Sequence, residues 1–447
     1  LLRARQAKDY FLLVGPPGTG KTNVALRALV EEFIEDRRRG LLRHGNLLLT
    51  AYTNRAVDEI CGMLENVAKV YPEAAYIRIG AEQTCAEPYR PRLFSNLAAA
   101  AANRRAVRSL LDHTYIYIGT LTTLTGTPQL FRIKQFDCAL FDEASQILEP
   151  QALGLLCAKT EKGESAIGKF VFIGDHKQLP AVVLSPAAQT AVRDPQLNDI
   201  GLLDTADSLF ERLHRLQMRS GDGRFVGLLN RQGRMHPDIA DFVNRKFYGG
   251  ELRPVPLPHQ KETALPAPGA DPLEQFAAST RLGFIDIVPD TPPQNNKANE
   301  AEADMVARLV QALIALYGRN GRKIEPAESV GIIVPFRSQI ACVRSRLQQA
   351  GIRGAEQITV DTVECYQGSQ RDFIIFSTTI SRPYQLDVLS SVQRIGGADI
   401  DRKLNVAITR ARRAFFMIGN RTLLEGSAIY KELIAASECA PTNKPIE

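Results

Sequence analysis

The stretch YFLLVGPPGTGKT, residues 10–22, joins a short apolar run directly to the phosphate-loop pattern GxxxxGK[ST]. A five-residue apolar run predicts a buried strand, and the amphipathic residues after Thr22 predict a helix. Glycines at such a strand-to-helix turn let backbone N–H groups surround a phosphate, and Lys21 adds a positive charge. The stretch therefore predicts an α/β domain with a nucleotide site at the end of its first strand.

Short apolar runs recur along the chain and alternate with amphipathic segments. They lie at 10–14, 46–50, 115–119, 138–141 and 170–174, and again at 283–288, 330–335, 358–361, 372–377 and 414–419. Continuous apolar strands that alternate with helices are typical of parallel sheets covered on both faces. The fold class is therefore predicted as α/β, with two tandem doubly wound parallel-sheet domains.

Domain boundaries follow from this pattern. We predict a first domain at 1–216, a second domain at 217–433 and a tail at 434–447. A helical insert rich in alanine and arginine interrupts the first domain at about 81–112. The tract 250–297 carries nine of the 25 prolines of the chain, which predicts an irregular excursion within the second domain.

Composition excludes several classes of protein. Hydrophobic residues make up 45% and charged residues 23% of the chain, which excludes fibrous and disordered classes. The apolar runs are shorter than the roughly 20 residues of a membrane span, so we expect no membrane partner. Seven cysteines without CxxC pairs fit a reducing, cytoplasmic location. The net charge of +6 suits a polyanionic partner, and Leu1 at the start predicts that the sequence is part of a longer chain or complex.

Polar residues follow two further predicted strands. In CALFDEASQ, Asp142 and Glu143 come after the run at 138–141, and Gln178 lies in the segment GDHKQLP after the next strand. Ligands of open α/β sheets bind beyond the carboxyl ends of strands, so these segments should converge with the phosphate loop. Asp142 and Thr22 are then suited to hold Mg²⁺, and Glu143 to accept a proton from an attacking water.

Six segments occur in the order of the motifs of one enzyme family. They are GPPGTGKT (15–22), FDEASQ (141–146), GDHKQLPAVV (174–183), RQGRMHP (231–237), VDTVECYQGSQRD (360–372) and RKLNVAITRAR (402–412). Together they resemble the superfamily 1 helicases of the 5′-to-3′ group, near the nonsense-mediated-decay and replication nuclease-helicase cores. The resemblance implies two RecA-like domains with ATP between them and single-stranded nucleic acid across their tops.

The resemblance also implies which residues handle the nucleotide. The ATP-binding set is Gly15, Pro16, Gly18, Thr19, Gly20, Lys21, Thr22, Gln178, Gln232, Arg234, Gln370 and Arg410. The catalytic set is Lys21, Asp142, Glu143, Gln178, Arg234 and Arg410. Within these sets Gln178 resembles a γ-phosphate sensor, and Arg410 an arginine finger that stabilises charge in the transition state. The expected cofactors are ATP and Mg²⁺, with Thr22 and Asp142 as metal ligands.

A third set of residues resembles the strand-binding motifs of the family. Its members are Thr53, Asn54, Arg55, Gly119, Thr120, Pro335, Phe336, Arg337 and Thr362. They offer donors, cations and one ring, which suit binding without base-edge readout. We expect a monomeric 5′-to-3′ helicase on single-stranded nucleic acid, with DNA favoured over RNA by the resemblance. A clamp that does not unwind and a protein-remodelling ATPase are the alternatives, and Glu143 argues against the clamp.

Overall fold

The computed structural model of the protein describes three segments of the chain, residues 1–221, 223–288 and 296–440. The chain forms two compact units. The first comprises Leu1–His176 and Pro180–Leu229, and the second comprises Lys177–Leu179 and the residues from Asn230 onward. This boundary differs from the predicted one after residue 216, because a strand at Val226–Leu228 still pairs within the first sheet.

The first unit is built on a parallel sheet of seven strands in the described part of the chain. They are β1 (Tyr10–Val14), β2 (Leu47–Ala51), β3 (Tyr76–Ile79), β4 (Ile116–Thr120), β5 (Cys138–Asp142), β6 (Phe170–Gly174) and β7 (Val226–Leu228). Their order across the sheet is β3-β4-β2-β5-β6-β1-β7. The five strands predicted in this half of the chain are confirmed, and β3 and β7 are additional.

Helices cover both faces of this sheet. They are α1 (Leu2–Gln6), α2 (Arg27–Arg38), α3 (Asn54–Ala68), α4 (Phe94–Ala100), α5 (Arg104–His113), α6 (Leu121–Thr125), α7 (Gln129–Ile133), α8 (Glu149–Leu156), α9 (Ala187–Thr190), α10 (Pro195–Asp199) and α11 (Leu209–Ser220). Successive residues of β1 face opposite sides, as the pleat requires. Phe11 and Leu13 join the apolar cluster of α2 and α3, and Leu12 and Val14 join that of α6, α8 and α11.

The carboxyl ends of the strands lie at one edge of the first sheet. Val14 is in register with Gly174, and Ala51 is in register with both Thr120 and Asp142. The segments after β1, β2, β4, β5 and β6 therefore emerge from the same edge. This register brings the phosphate loop and the carboxylates together.

The second unit contains a parallel sheet of six strands among the described residues. In the order of the chain, the strands of this unit are β8 (Arg231–Gln232), β9 (Arg253–Pro254), β10 (Leu282–Asp286), β11 (Val330–Ile333), β12 (Thr359–Asp361), β13 (Arg371–Ser377), β14 (Val392–Ile395), β15 (Ala398–Asp401), β16 (Ala411–Gly419) and β17 (Glu438–Cys439). The order across the sheet is β12-β11-β13-β16-β10-β17. The strands β14 and β15 form a separate antiparallel hairpin, and β8 pairs with β9.

The helices of the second unit pack on both faces of its sheet. They are α12 (Pro237–Phe247), α13 (Pro272–Ser279), α14 (Glu300–Arg319), α15 (Pro326–Ser329), α16 (Arg337–Gln349), α17 (Leu386–Leu389), α18 (Arg402–Ile408), α19 (Arg421–Leu424) and α20 (Ala428–Ala436). The predicted prolyl excursion at 250–297 contains α13 and β10, and its part at 289–295 lies outside the described residues. The predicted tail contains β17, and 441–447 lie outside the described residues.

Three further properties concern membrane spans, thiols and metal clusters. Among the described residues, no helix is both long and apolar enough to cross a membrane. All seven cysteines are free, and Cys61, Cys85 and Cys138 are buried. The described segments contain no group of three or more His, Cys, Asp or Glu side chains arranged to hold a metal ion.

Candidate functional site

The phosphate loop follows β1 and turns directly into a helix. Gly20 has the left-handed backbone angle φ 77°, which a side chain would strain, and it caps a π-helical turn at Lys21–Leu26 that continues into α2. A Cβ on Gly15 would collide with the aliphatic part of Lys21, whose Nζ donates to the Gly15 carbonyl at 3.2 Å. The loop thus favours glycine at both positions, and these are two of the residues predicted to surround a phosphate.

The side chains of Thr22 and Asp142 meet beyond the carboxyl ends of β1 and β5. Oγ1 of Thr22 donates to Oδ2 of Asp142 at 2.7 Å, and the other carboxylate oxygen accepts from the backbone N–H of Glu143 at 2.9 Å. Asp142 is buried, with 2% of its surface exposed. Burial, followed by the neighbouring Glu143 carboxylate, raises the pKa of Asp142 to about 6.

A cation fits this pair of residues. A hydroxyl and a buried carboxylate supply the oxygen ligands that Mg²⁺ prefers, and a bound cation would offset the burial that raises the pKa of Asp142. Thr22 and Asp142, the two predicted metal ligands, have the chemistry to hold Mg²⁺.

Glu143 lies beside the lysine of the phosphate loop. Its Oε1 is 3.6 Å from Nζ of Lys21, and its side chain is partly exposed. The backbone of Glu143 adopts φ 49°, a left-handed conformation that is unusual outside glycine. Strained residues of this kind cluster at functional sites, where the surrounding structure holds them in place. The geometry thus presents the Glu143 carboxylate to the space above the phosphate loop.

In the second unit, Gln178 contacts Arg410 although 232 positions separate them. Nη2 of Arg410 donates to Oε1 of Gln178 at 3.2 Å. The segment Lys177–Leu179 belongs to this unit, because Leu179 joins its apolar core and the Lys177 carbonyl accepts from Asn405 at 2.7 Å. The structure therefore brings the predicted phosphate sensor and the predicted arginine finger together.

The guanidinium of Arg410 is buried and held by several acceptors. Its Nε donates to the Val406 carbonyl at 3.1 Å, its Nη1 to the Ser369 carbonyl at 3.4 Å and its Nη2 to the Thr409 hydroxyl at 3.1 Å. Only 2% of its surface is exposed. This burial was not predictable, because the segment TRAR is equally compatible with an exposed basic helix face.

Three other predicted ATP residues form a connected group. The buried side chain of Gln232 stabilises the turn that follows it, because its Oε1 accepts hydrogen bonds from the backbone N–H groups of Arg234 and Met235. Arg234 donates to Oε1 of Gln370 at 2.9 Å and to the carbonyl of Thr409 at 3.2 Å. Arg234 and Gln370 therefore lie beside Arg410. The side-chain oxygen of Gln232, in contrast, bonds the backbone of its own turn.

Of the predicted strand-binding residues in the first unit, those on α3 are exposed. Thr53 caps this helix by accepting from the N–H of Ala56 at 3.2 Å, and Asn54 and Arg55 form its first turn. Gly119 and Thr120 are buried at the end of β4, where Thr120 caps α6.

In the segment GTLT, residues 119–122, the first three residues are buried and only the fourth, Thr122, is exposed. Thr122 is exposed on the first turn of α6, whereas the Thr120 hydroxyl contacts Thr123 at 2.8 Å. Helix phase, which places Thr122 outward, is the signal that could have selected it from the sequence.

In the second unit, three of the predicted strand-binding residues lie at the start of α16. Phe336 is half-buried at the N-terminal cap, Pro335 is half-buried before it, and Arg337 is exposed at the first helical position. Thr362 is half-buried after β12, the strand next to β11. Among the described residues, neither apolar cluster of this unit includes Phe336. Its ring is therefore more accessible than a core residue after a buried strand.

Comparisons with known proteins find similarity over nearly the whole chain. Two family profiles, each described as an AAA domain, match residues 205–422 and residues 1–99 and 93–186. The DNA replication ATP-dependent helicase/nuclease JHS1 of Arabidopsis thaliana is 28% identical over 433 residues, which are 95% of this chain and 28% of that protein. The DNA replication ATP-dependent helicase/nuclease DNA2 of Xenopus laevis is 30% identical over 445 residues, which are 93% of this chain and 36% of that protein.

A solved helicase also aligns with the chain. Arterivirus nonstructural protein 10 has 14% sequence identity and a TM-score of 0.43, over 98% of this chain and 63% of that one. The chain spans roughly a third of the length of the two curated relatives described above.

Proposed function

Because the chain belongs to the superfamily 1 helicases, we propose that it is an ATP-dependent motor on single-stranded nucleic acid, with DNA as its preferred strand. The observation that carries the proposal is the 2.7 Å contact between Thr22 and Asp142 beside Lys21 and Glu143. This arrangement contains every group that phosphoryl transfer from ATP to water requires of a first domain.

ATP binding changes the environment of Glu143. In the structure Lys21 faces the Glu143 carboxylate at 3.6 Å. The β and γ phosphates of ATP compete for the same ammonium group, so the nucleotide releases Glu143 from this pair. Glu143 then orients the attacking water and accepts its proton. Thr22 and Asp142 would hold Mg²⁺, which when bound supplies positive charge to the phosphate oxygens.

Positive charge for the transition state comes, in this proposal, from Arg410 and Arg234. Both guanidinium groups are fixed by acceptors in the second unit, and Gln178 contacts Arg410 directly. Preorganised donors of this kind cost little reorganisation when charge develops. Gln178 is thus suited to connect the state of the nucleotide to the position of Arg410.

The strand-binding part of the proposal rests on exposed or half-buried groups at the carboxyl ends of strands. Thr53, Asn54 and Arg55 serve the first unit, and Phe336 and Arg337 the second. Such donors, cations and a ring suit a sugar-phosphate chain with unstacked bases. The preference for DNA is supported by the relatives, which are named DNA replication helicase/nucleases. Movement from 5′ to 3′ and action as a monomer are carried over from the resemblance.

The deciding experiment measures ATP hydrolysis with single-stranded DNA and with RNA of the same sequence, side by side at one stated salt concentration. We expect Mg²⁺-dependent hydrolysis that single-stranded DNA stimulates more than RNA does. Lys21→Ala provides the inactive control, because it removes the charge that binds the phosphates. Hydrolysis that neither nucleic acid stimulates would contradict the motor function, and stronger stimulation by RNA would contradict the DNA preference.

A further inference from the structure

A short loop after β13 presents a tyrosine and an arginine on a fixed frame. The buried side chain of Gln385 accepts through Oε1 from the backbone N–H of Ser381 at 2.9 Å, from its hydroxyl at 3.1 Å and from the N–H of Arg382 at 2.8 Å. Tyr384, inside this loop, keeps 58% of its surface exposed. A single exposed aromatic ring is ordinary, but aromatic rings and cations together are the groups that bind single-stranded nucleic acid.

Asn296 fixes both exposed side chains from the neighbouring segment. Its Oδ1 accepts from Nε of Arg382 at 3.2 Å, and its Nδ2 donates to the hydroxyl of Tyr384 at 3.4 Å. The carbonyl of Asn296 accepts from Nε2 of Gln385. The guanidinium and the ring are therefore oriented by the same asparagine.

A buried polar network connects this loop to the start of α16. Glu302 accepts from the Ser377 hydroxyl at 2.7 Å and from the Thr379 N–H at 2.8 Å, just before the loop. Gln339 of α16 donates to the same Ser377 hydroxyl at 3.2 Å and exchanges hydrogen bonds with the backbone of Asn299. The loop and α16 are thus held by one set of buried hydrogen bonds.

The loop of Tyr384 and the start of α16 lie at the same edge of the second sheet. The strands β11 and β13 are parallel neighbours, with Ile333 in register with Phe376. Phe336 and Arg337 follow the first strand, and the loop of Tyr384 follows the second. Two pairs of a ring and a guanidinium therefore lie beyond the carboxyl ends of adjacent strands.

We propose that Tyr384 and Arg382 form a further contact for single-stranded nucleic acid, in which the ring stacks on an unpaired base and the guanidinium binds a phosphate. This inference rests on the proposed function and extends the predicted strand-binding set. An aromatic ring can stack on any base. A guanidinium can bind a phosphate by donating two parallel hydrogen bonds to its oxygens.

The chain contains no tryptophan, so Tyr384→Trp places a single fluorescent indole in the loop. We expect its fluorescence to be quenched when a single-stranded DNA oligonucleotide of about 15 nucleotides saturates the protein, because stacking on a base quenches indole emission. Tyr71→Trp is the control, since Tyr71 follows the far end of α3 in the first unit. An indole at 384 that is quenched no more than the one at 71 overturns the proposal.

Equilibrium binding measurements separate the contribution of the Tyr384 ring to affinity from that of its hydroxyl. Tyr384→Ala should raise the dissociation constant for the same oligonucleotide by about 5- to 100-fold, whereas Tyr384→Phe should retain most of the affinity. Arg382→Ala should lower the magnitude of the log–log salt slope by about 0.7, and Arg353→Ala, which removes an exposed charge from the turn before β12, should leave it unchanged. Thermal unfolding of each variant reports whether its fold is intact.

The outcomes distinguish this inference from the proposed function. Wild-type protein that fails to bind the oligonucleotide overturns both. Wild-type binding with an unchanged dissociation constant in Tyr384→Ala overturns only the contact at this loop. Equal losses in Tyr384→Ala and Tyr384→Phe also overturn the stacking contact, because they assign the effect to the hydrogen bond with Asn296.

Discussion

The Thr22 hydroxyl donates a 2.7 Å hydrogen bond to Asp142, although 120 positions of the chain separate the two residues. In the sheet, β6 lies between β1 and β5, so the contact passes over the end of β6. That strand ends in Gly174, where a Cβ would lie only 2.8 Å from the backbone nitrogen of Ser145. The small residue leaves room for the segment after β5 to approach the phosphate loop.

Replacing Glu143 by glutamine tests its role as the base. Glu143→Gln preserves the shape of the side chain but cannot accept the proton of the attacking water. We expect nucleotide binding to persist while the turnover rate falls by about 100-fold or more, the range for loss of a general base. Steady-state hydrolysis and binding of a fluorescent ATP analogue measure the two properties. Glu161→Gln, at an exposed turn, is the matched control, and near-normal turnover in Glu143→Gln would remove this residue from the reaction.

Arg410 is expected to affect the rate more than ATP affinity. Its charge is required mainly in the transition state, so Arg410→Ala should lower turnover far more than it weakens ATP binding. The residue is also buried against Val406, Ser369 and Gln178, so the thermal midpoint should fall as well.

Arg410→Lys separates the effect on turnover from the effect on stability. The lysine keeps the positive charge and most of the volume but lacks the planar set of guanidinium N–H donors. Arg412→Ala, two residues further along, is the control. A large loss of ATP affinity with normal turnover at saturation would contradict the finger role.

Phe336→Ala tests the ring at the start of α16. If the ring stacks on a base, the variant should weaken binding to single-stranded DNA by about 1 to 3 kcal/mol. Phe336→Leu keeps an apolar side chain without a ring and should show nearly the same loss. Fluorescence anisotropy with a labelled oligonucleotide measures both. A leucine variant that binds like the wild type would show that Phe336 only fills space between β11 and α16.

The direction of movement has a separate test. A duplex with only a 5′ overhang should be unwound in the presence of ATP, and a duplex with only a 3′ overhang should remain intact. A strand-displacement assay with both substrates at the same salt concentration measures this preference. The opposite result would overturn the assignment to the 5′-to-3′ group and leave the ATP hydrolysis unaffected.

Glu302 should make the stability of the second unit depend on pH. Burial raises its pKa from 4.5 to about 7, so the folded protein retains a proton that the unfolded chain releases. Between these values the folded state binds more protons, and its stability therefore falls as the pH rises toward 7.

Glu302→Gln is neutral at every pH. The thermal midpoint of the wild type, relative to that of this variant, should therefore fall as the pH rises from 4.5 to about 7. Glu356→Gln, at an exposed position of the same unit, should show no such trend. A constant difference between wild type and Glu302→Gln would mean that the Glu302 carboxyl keeps one protonation state across this range.

The apolar runs predicted most strands of the two large sheets, and the two exceptions in the first sheet depend in part on long-range contacts. The strand β3 was missed because Arg78 interrupts its apolar pattern, and this arginine is buried only because it forms an ion pair with Asp58. The strand β7 was missed because it has three residues. Neither the distant carboxylate nor the pairing with β1 is visible in the local sequence.

The site was predictable where it depended on strand ends. Lys21, Thr22, Asp142 and Glu143 follow strands whose carboxyl ends must share an edge of the sheet. Burial was not predictable, because it depends on packing from distant segments. Glu302 lies in the first turn of α14, three residues after the cap Asn299, a pattern that is typical of an exposed helix start, yet its side chain is fully buried.

The left-handed backbone of Glu143 also matters to anyone who engineers this protein for heat resistance. Glycine adopts that conformation without strain, so Glu143→Gly would release about 1 kcal/mol or more of stored strain while removing the carboxylate. A library of variants selected only for surviving heat would therefore be enriched for loss of the residue on which turnover is proposed to depend. Thermostability and catalysis favour different amino acids at this position, and a useful screen has to measure both.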